Sequence, residues 1–193
     1  MQKYKVKITL IEQMLGTAPA NKEIYSEFVL KKAPVIEVEE IETLEVGDPS
    51  AVTIFHKVDG NPVLYDYMIK GFAKEACSMM RKVTDSATSK LSAYKKNIDG
   101  LLFVYPRLIP VELSGPISTI SRPLRASTPQ GERISLTKSE TIPAGSSMEF
   151  EILILGVITE SMLIELLNYG QYKGLGCWRN ASWGRFTYQI AKA

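Results

Sequence analysis

Three consecutive stretches decide the fold: Met148-Glu-Phe-Glu-Ile-Leu-Ile-Leu155, Ser161-Met-Leu-Ile-Glu-Leu-Leu-Asn-Tyr169 and Phe186-Thr-Tyr-Gln-Ile190. In the first, Met148, Phe150, Ile152 and Ile154 alternate with Glu149, Glu151 and Leu153, the period-two pattern of a strand covered on one face. In the second, Met162, Leu163, Leu166 and Leu167 recur at helical spacing. The third is a closing strand, so the C-terminal third reads β-α-β.

Working outward, Tyr4, Val6, Ile8 and Leu10 alternate with Lys3, Lys5, Lys7 and Thr9, which predicts a half-covered strand from Lys3 to Ile11. Leu15-Gly-Thr-Ala-Pro19 breaks it. Asn21 can cap a helix over 22–32, stopped by Pro34, and the acidic stretch Glu37–Asp48 reads as a solvated insertion or short helix. Val52–Phe55 is a short strand and Asp59-Gly-Asn-Pro62 a turn. Tyr65–Arg81 carries the clearest helical stripe, with Ile69, Phe72, Ala73, Ala76, Met79 and Met80 three and four residues apart. A second, basic helix is predicted over Lys90–Asn97, a turn at Asp99-Gly100, and strands on either side of Pro106. Arg122–Ser127 and Glu132–Leu136, joined by Thr128-Pro-Gln-Gly131, form a projecting hairpin. The order predicts an α+β fold: an antiparallel sheet with helices on one face, in the ferredoxin-like arrangement shared by RNA-recognition modules. The chain reads as a single domain, 1–193, with an acidic insertion at 37–50 and the hairpin at 121–137.

Composition narrows the function. A hydrophobic fraction of 45% and a net charge of +2 fit a globular protein. No apolar run approaches the ~20 residues that cross a bilayer. The alternating N-terminus lacks the uninterrupted apolar core of a signal peptide, which predicts a cytoplasmic protein with no membrane partner. Residues 1–56 hold six Lys/Arg against nine Asp/Glu, whereas 57–121 hold nine against six and 122–193 eight against six. That basic excess permits nucleic-acid binding without demanding it. His56 is the sole histidine, and Cys77 and Cys177 lie far apart. No metal site or other cofactor is predicted, and both cysteines read as small buried or half-buried residues.

Enzyme signatures are absent: there is no Gly-x-x-x-x-Gly-Lys-Ser/Thr and no Gly-x-Ser-x-Gly. Gly174-x-Gly176 follows a helix and precedes a strand, the reverse of a dinucleotide-binding context. Chemistry concentrates instead in Gly174-Leu-Gly-Cys-Trp-Arg-Asn-Ala-Ser-Trp-Gly-Arg185. Gly174, Gly176 and Gly184 would let backbone amides approach a phosphate. Lys173, Arg179, Asn180 and Arg185 offer donors to its oxygens. Trp178 and Trp183 either stack a base or anchor the core beneath a tight turn. Lys70, Gly71 and Lys74 on the long helix, and Arg122 and Arg125 on the hairpin, could extend this surface.

Three segments, in order, resemble the RAMP superfamily, the RNA-recognition-fold proteins of CRISPR effector complexes. Tyr67-Met-Ile-Lys-Gly-Phe-Ala-Lys-Glu-Ala76 is similar to that family's Lys-Gly-then-helix motif. Glu140–Glu151 is similar to the segment leading into a core strand of its second half, and Gly174–Arg185 to its glycine-rich loop. The resemblance implies nucleic-acid binding, carried onto Lys70, Gly71, Gly174, Gly176, Arg179, Asn180, Gly184 and Arg185. Its RNA-cleaving members use histidine, tyrosine or lysine, and His56 lies in no matching motif, so cleavage is not implied. The chain also resembles a group of phage and prophage proteins from Gram-positive bacteria, which implies a bacterial host cell. The expectation is a non-catalytic module binding single-stranded RNA or DNA. The rivals are an anti-CRISPR-type phage protein that docks on or mimics a CRISPR effector subunit, and a nucleotide-binding counter-defence protein. A homo-oligomer is compatible with either.

Overall fold

The structure, a computed structural model, describes residues 1–20, 53–128 and 131–193, with the backbone alone described over 122–128 and 131–137. The helix expected at 22–32 and the acidic stretch 37–48 lie outside the described residues. Strand β1 (Gln2–Leu10) is followed by β2 (Met14–Leu15), β3 (Ala18–Pro19), β4 (Thr53–Ile54), β5 (His56–Val58) and β6 (Asn61–Tyr65). Then come α1 (Asp66–Met80), α2 (Tyr94–Leu101), β7 (Leu102–Tyr105), β8 (Leu108–Glu112), β9 (Ser118–Thr128) and β10 (Gly131–Ile142). The chain closes with β11 (Ser147–Ile154), α3 (Glu160–Lys173) and β12 (Phe186–Lys192).

The main sheet is antiparallel, in the order β12-β1-β11-β8-β6-β5, with β7 also paired to β11. The unit β1-α1-β7/β8-β11-α3-β12 is the β-α-β-β-α-β of a ferredoxin-like fold, its first and third strands central. The chain is therefore α+β and of the expected fold class. Alternation explains β1: Tyr4, Val6, Ile8 and Leu10 are buried, and each such burial stabilises by about 1.5–3 kcal/mol. They meet Phe150 and Ile152 of β11, Phe72, Ala73 and Ala76 of α1, Ile98 of α2, and Leu163, Leu166 and Leu167 of α3 in one core. Among the described residues, the helices cover that face alone. On the opposite face Lys3 pairs with Glu151 at 2.7 Å and Lys7 with Glu149 at 2.8 Å across β1 and β11. The hydrogen bond and charge of that second pair hold Lys7 above and Glu149 below their ordinary pKa values.

The second sheet runs β2-β10-β4-β3, with β9 along β10. β9 and β10 pair antiparallel from Ser118–Thr141 to Thr128–Gly131, so the backbone of the expected hairpin is formed. Glu140 of β10 is buried; its Oε2 accepts from the Phe55 amide at 3.0 Å and its Oε1 from Lys57 Nζ at 2.7 Å. Its own carbonyl accepts from the Gly16 amide at 3.0 Å. One residue thus ties β10 to the segments around β2, β4 and β5.

Several expectations move. Asn61 and Pro62 belong to β6, because the turn is made by Asp59 and Gly60 alone, both at positive φ. The basic helix does not span Lys90–Asn97: Lys90 ends a short 3-10 turn (Ala87–Lys90), and the helix begins at Tyr94 after Ala93 at φ 41°. Asp99 and Gly100 lie in its last turn rather than in a free turn. α3 runs one turn beyond Tyr169, to Lys173, with Thr159 Oγ1 capping its start by accepting from the Met162 amide at 3.3 Å. His56 is buried edge-on against Tyr65, and burial holds its imidazole down at about 4. It is neutral at physiological pH and structural. Cys77 is buried, its thiol pushed up by desolvation, and Cys177 is half-buried.

Candidate nucleic-acid interface

The glycine loop begins where α3 ends. Gly174 closes the helix at φ +77°, and its amide donates to the Gly170 carbonyl at 3.0 Å. The loop then folds onto itself and onto β2. Leu175 N–H donates to Gly184 O at 2.9 Å, Gly184 N–H to Gln13 O at 2.8 Å, and Cys177 N–H to Leu15 O at 3.3 Å. A Cβ on Gly176 (φ +82°) would stand 2.6 Å from Leu15 O, and one on Gly184 (φ +72°) would overlap Leu175 O. These glycines serve close approach of the chain to itself. The amides of Gly174 and Gly184, expected to face a phosphate, are committed to internal carbonyls.

Between those anchors the tip turns through Arg179-Asn180-Ala181. Trp178 (φ 57°) and Ser182 (φ 65°) flank it, both in the left-handed region that L side chains avoid by roughly 1–2 kcal/mol. This turn aims Arg179 at α1. Arg179 Nη1 lies 2.5 Å from Glu75 Oε2, and Lys173 Nζ lies 3.6 Å from Glu75 Oε1 while also donating to Asn180 Oδ1. Tyr169 borders the cluster: burial and then the Glu75 carboxylate raise its phenol pKa, with Arg179 pulling the other way.

Two concavities meet there. One, of about 640 Å³, is lined by Glu75, Lys173, Gly176, Trp178, Arg179 and Asn180 among others. The second, of about 530 Å³, is lined by Tyr67, Met68, Gly71, Phe72, Lys74 and Thr17, and shares Gly176 and Arg179 with the first. Together they make a groove between α1 and the loop, apolar on its floor at Met68, Phe72 and Leu175. Lys74, Lys173 and Arg179 against Glu75 leave it a net positive lining.

The groove gathers Gly71, Lys74, Lys173, Gly176, Trp178, Arg179 and Asn180. It leaves out Lys70, whose ammonium donates to Asp99 O at 3.1 Å and sits 5.1 Å from the Phe103 ring centre. It also leaves out Gly174, Trp183 and Gly184. Arg185 lies outside as well, its Nη2 on Glu12 Oε1 at 2.6 Å and its carbonyl accepting from Ile11 and Glu12. Lys74 is ion-paired to Asp99. The side chains of Arg122 and Arg125 lie outside the described residues. Sequence reasoning missed Glu75, Tyr67, Met68 and Thr17. Positions 67, 68, 71, 74 and 75 share one helical face beside the buried stripe, a signal that was there to be read.

A larger concavity, about 840 Å³, lies on the open sheet face around Lys5, Lys7, Tyr105, Glu149, Glu151 and Gln189. Its two lysines face two glutamates, so it has no net attraction for an anion. Among the described residues no cluster of His, Cys, Asp or Glu could hold a metal ion, and no helix is long and apolar enough to cross a membrane.

No family model matches the sequence, and no curated protein matches it. Solved structures do. A chain of the cryo-EM structure of the Type III-B Cmr-beta bound to cognate target RNA superposes with a TM-score of 0.54 at 10% identity, over 99% of this chain. The match spans 61% of that neighbour's length. A chain of a Type IV-B CRISPR complex gives 0.50 at 12% identity, over 98% of this chain and 90% of that one. The likeness is one of fold. It shows an α+β fold shared with chains of these two complexes.

Proposed function

We propose that the protein binds single-stranded nucleic acid, RNA in the first instance, in the groove between α1 and the glycine loop. The observation that carries this reading is the aim of Arg179: a strained turn, held by the loop's bonds to β2, presents a guanidinium beside Lys173, above an apolar floor. Cations at a rim and aromatic or apolar surface beneath suit a phosphate-and-base ligand. Strained backbone at such a turn persists where the surroundings enforce it. The fold shared with a chain of an RNA-bound complex supports the same reading. It also supports the rival, a phage-encoded protein that docks on or mimics an effector subunit, and direct RNA binding separates the two.

The test is fluorescence anisotropy with a labelled single-stranded 12-mer RNA, titrated over salt, with the DNA counterpart as a second arm. Engagement of about three cations gives a log-log slope near −2, hence roughly 15-fold weaker binding between 50 and 200 mM salt. No binding of either strand at 50 mM salt would remove the proposal and favour a protein partner.

A further inference from the structure

Resting on that reading, we infer that Glu75 occupies the phosphate position of the groove: an internal carboxylate that closes the anion site until an incoming phosphodiester replaces it. The geometry is that of a bound anion. One oxygen lies 2.5 Å from Arg179 Nη1, and the other lies 3.6 Å from Lys173 Nζ, within ion-pair range, so two cations converge on one anionic group. Lys173 is also held by Asn180, so both cations are in place before a ligand arrives. Glu75 is about a quarter exposed (27%), as are Lys173 (22%) and Arg179 (30%), so water and ligand reach all three. A pair that water reaches on this scale is weak enough to exchange. Glu75 also stands on α1 while its partners stand on α3 and the loop. Exchanging carboxylate for phosphate therefore requires no break in the backbone bonds that anchor the loop to β2. Tyr169 and Asn180, which border the pair, do not compete as anions at neutral pH.

Removing the carboxylate should then strengthen binding rather than weaken it. Glu75→Gln is expected to bind the RNA 12-mer about fivefold more tightly at 50 mM salt, the worth of one released surface pair. Its salt slope should stay near −2, because the seated phosphate makes the same contacts in both proteins and only the cost of displacing the carboxylate is removed. Glu12→Gln, which frees Arg185 outside the groove, calibrates the general effect of deleting one negative charge and should change affinity less than about twofold. Thermal melts of all three proteins verify folding; should Glu75→Gln melt early, Glu75→Asp, whose shorter side chain keeps the charge but loosens the latch, is measured in its place and should also bind more tightly. Glu75→Gln binding no tighter than Glu12→Gln, with the wild type binding normally, overturns the inference alone. Failure of wild type and both variants to bind overturns the underlying reading with it.

Discussion

Glu140→Ala is expected to destabilise the protein by about 3–5 kcal/mol, the cost of stranding one member of a buried ion pair. Lys57 would be left with its side chain only 13% exposed and no counter-charge from Glu140, and the buried Phe55 amide would lose its acceptor. For a chain of this length the melting temperature should fall by on the order of 10 °C. The double variant Glu140→Gln/Lys57→Met should recover much of the loss, because it removes the stranded charge rather than the attraction. Differential scanning calorimetry of the three proteins checks this. If Glu140→Ala melts within a degree of wild type, the carboxylate does not hold the second sheet together.

Gly184→Ala and Gly71→Ala should move stability in opposite directions. At Gly184 the new methyl sits on a backbone at φ +72° and overlaps Leu175 O, so the 175–184 closure must open. Left-handed strain and the displaced backbone together cost roughly 3 kcal/mol, read as a fall of roughly 6–12 °C. Gly71 stands within α1 with nothing within 4 Å of a Cβ, so alanine there adds helix propensity and should stabilise by up to about 1 kcal/mol. Urea melts of both variants suffice. A stable Gly184→Ala would mean that the loop is not fastened as described. The pair also bears on function, since Gly71 lines the groove and has no internal contact that requires a glycine.

The fold was legible wherever the apolar period was unbroken. β1, α1, β11 and α3 each bury one clean stripe, so Tyr4 to Leu10 or Ile69 to Ala76 announce their partners without knowledge of them. Legibility failed where distant residues fix the backbone. The turn before α2 is held by Glu165 of α3, whose carboxylate accepts from the Ala87 amide and, at 3.0 Å, from the Thr88 amide, more than seventy residues away. No local signal at Lys90–Asn97 reveals that cap. The glycine run stands out in the sequence, but its contacts do not. Its glycines serve β2 near the start of the chain, and its arginines face Glu75 and Glu12, both remote in sequence. Charge counted along the chain therefore overstated the free cations, and only the folded arrangement separates Arg179 in the groove from Arg185 outside it.

Single-stranded nucleic acid seated between α1 and the glycine loop would be located most directly by a crosslink map. A single-stranded RNA carrying 4-thiouridine is bound at low salt, irradiated, and the adducts located by peptide mass spectrometry. Adducts should concentrate in two segments, Tyr67–Glu75 and Lys173–Ala181. Adducts confined to the open sheet face, at Lys5, Lys7, Tyr105 or Gln189, would contradict the account.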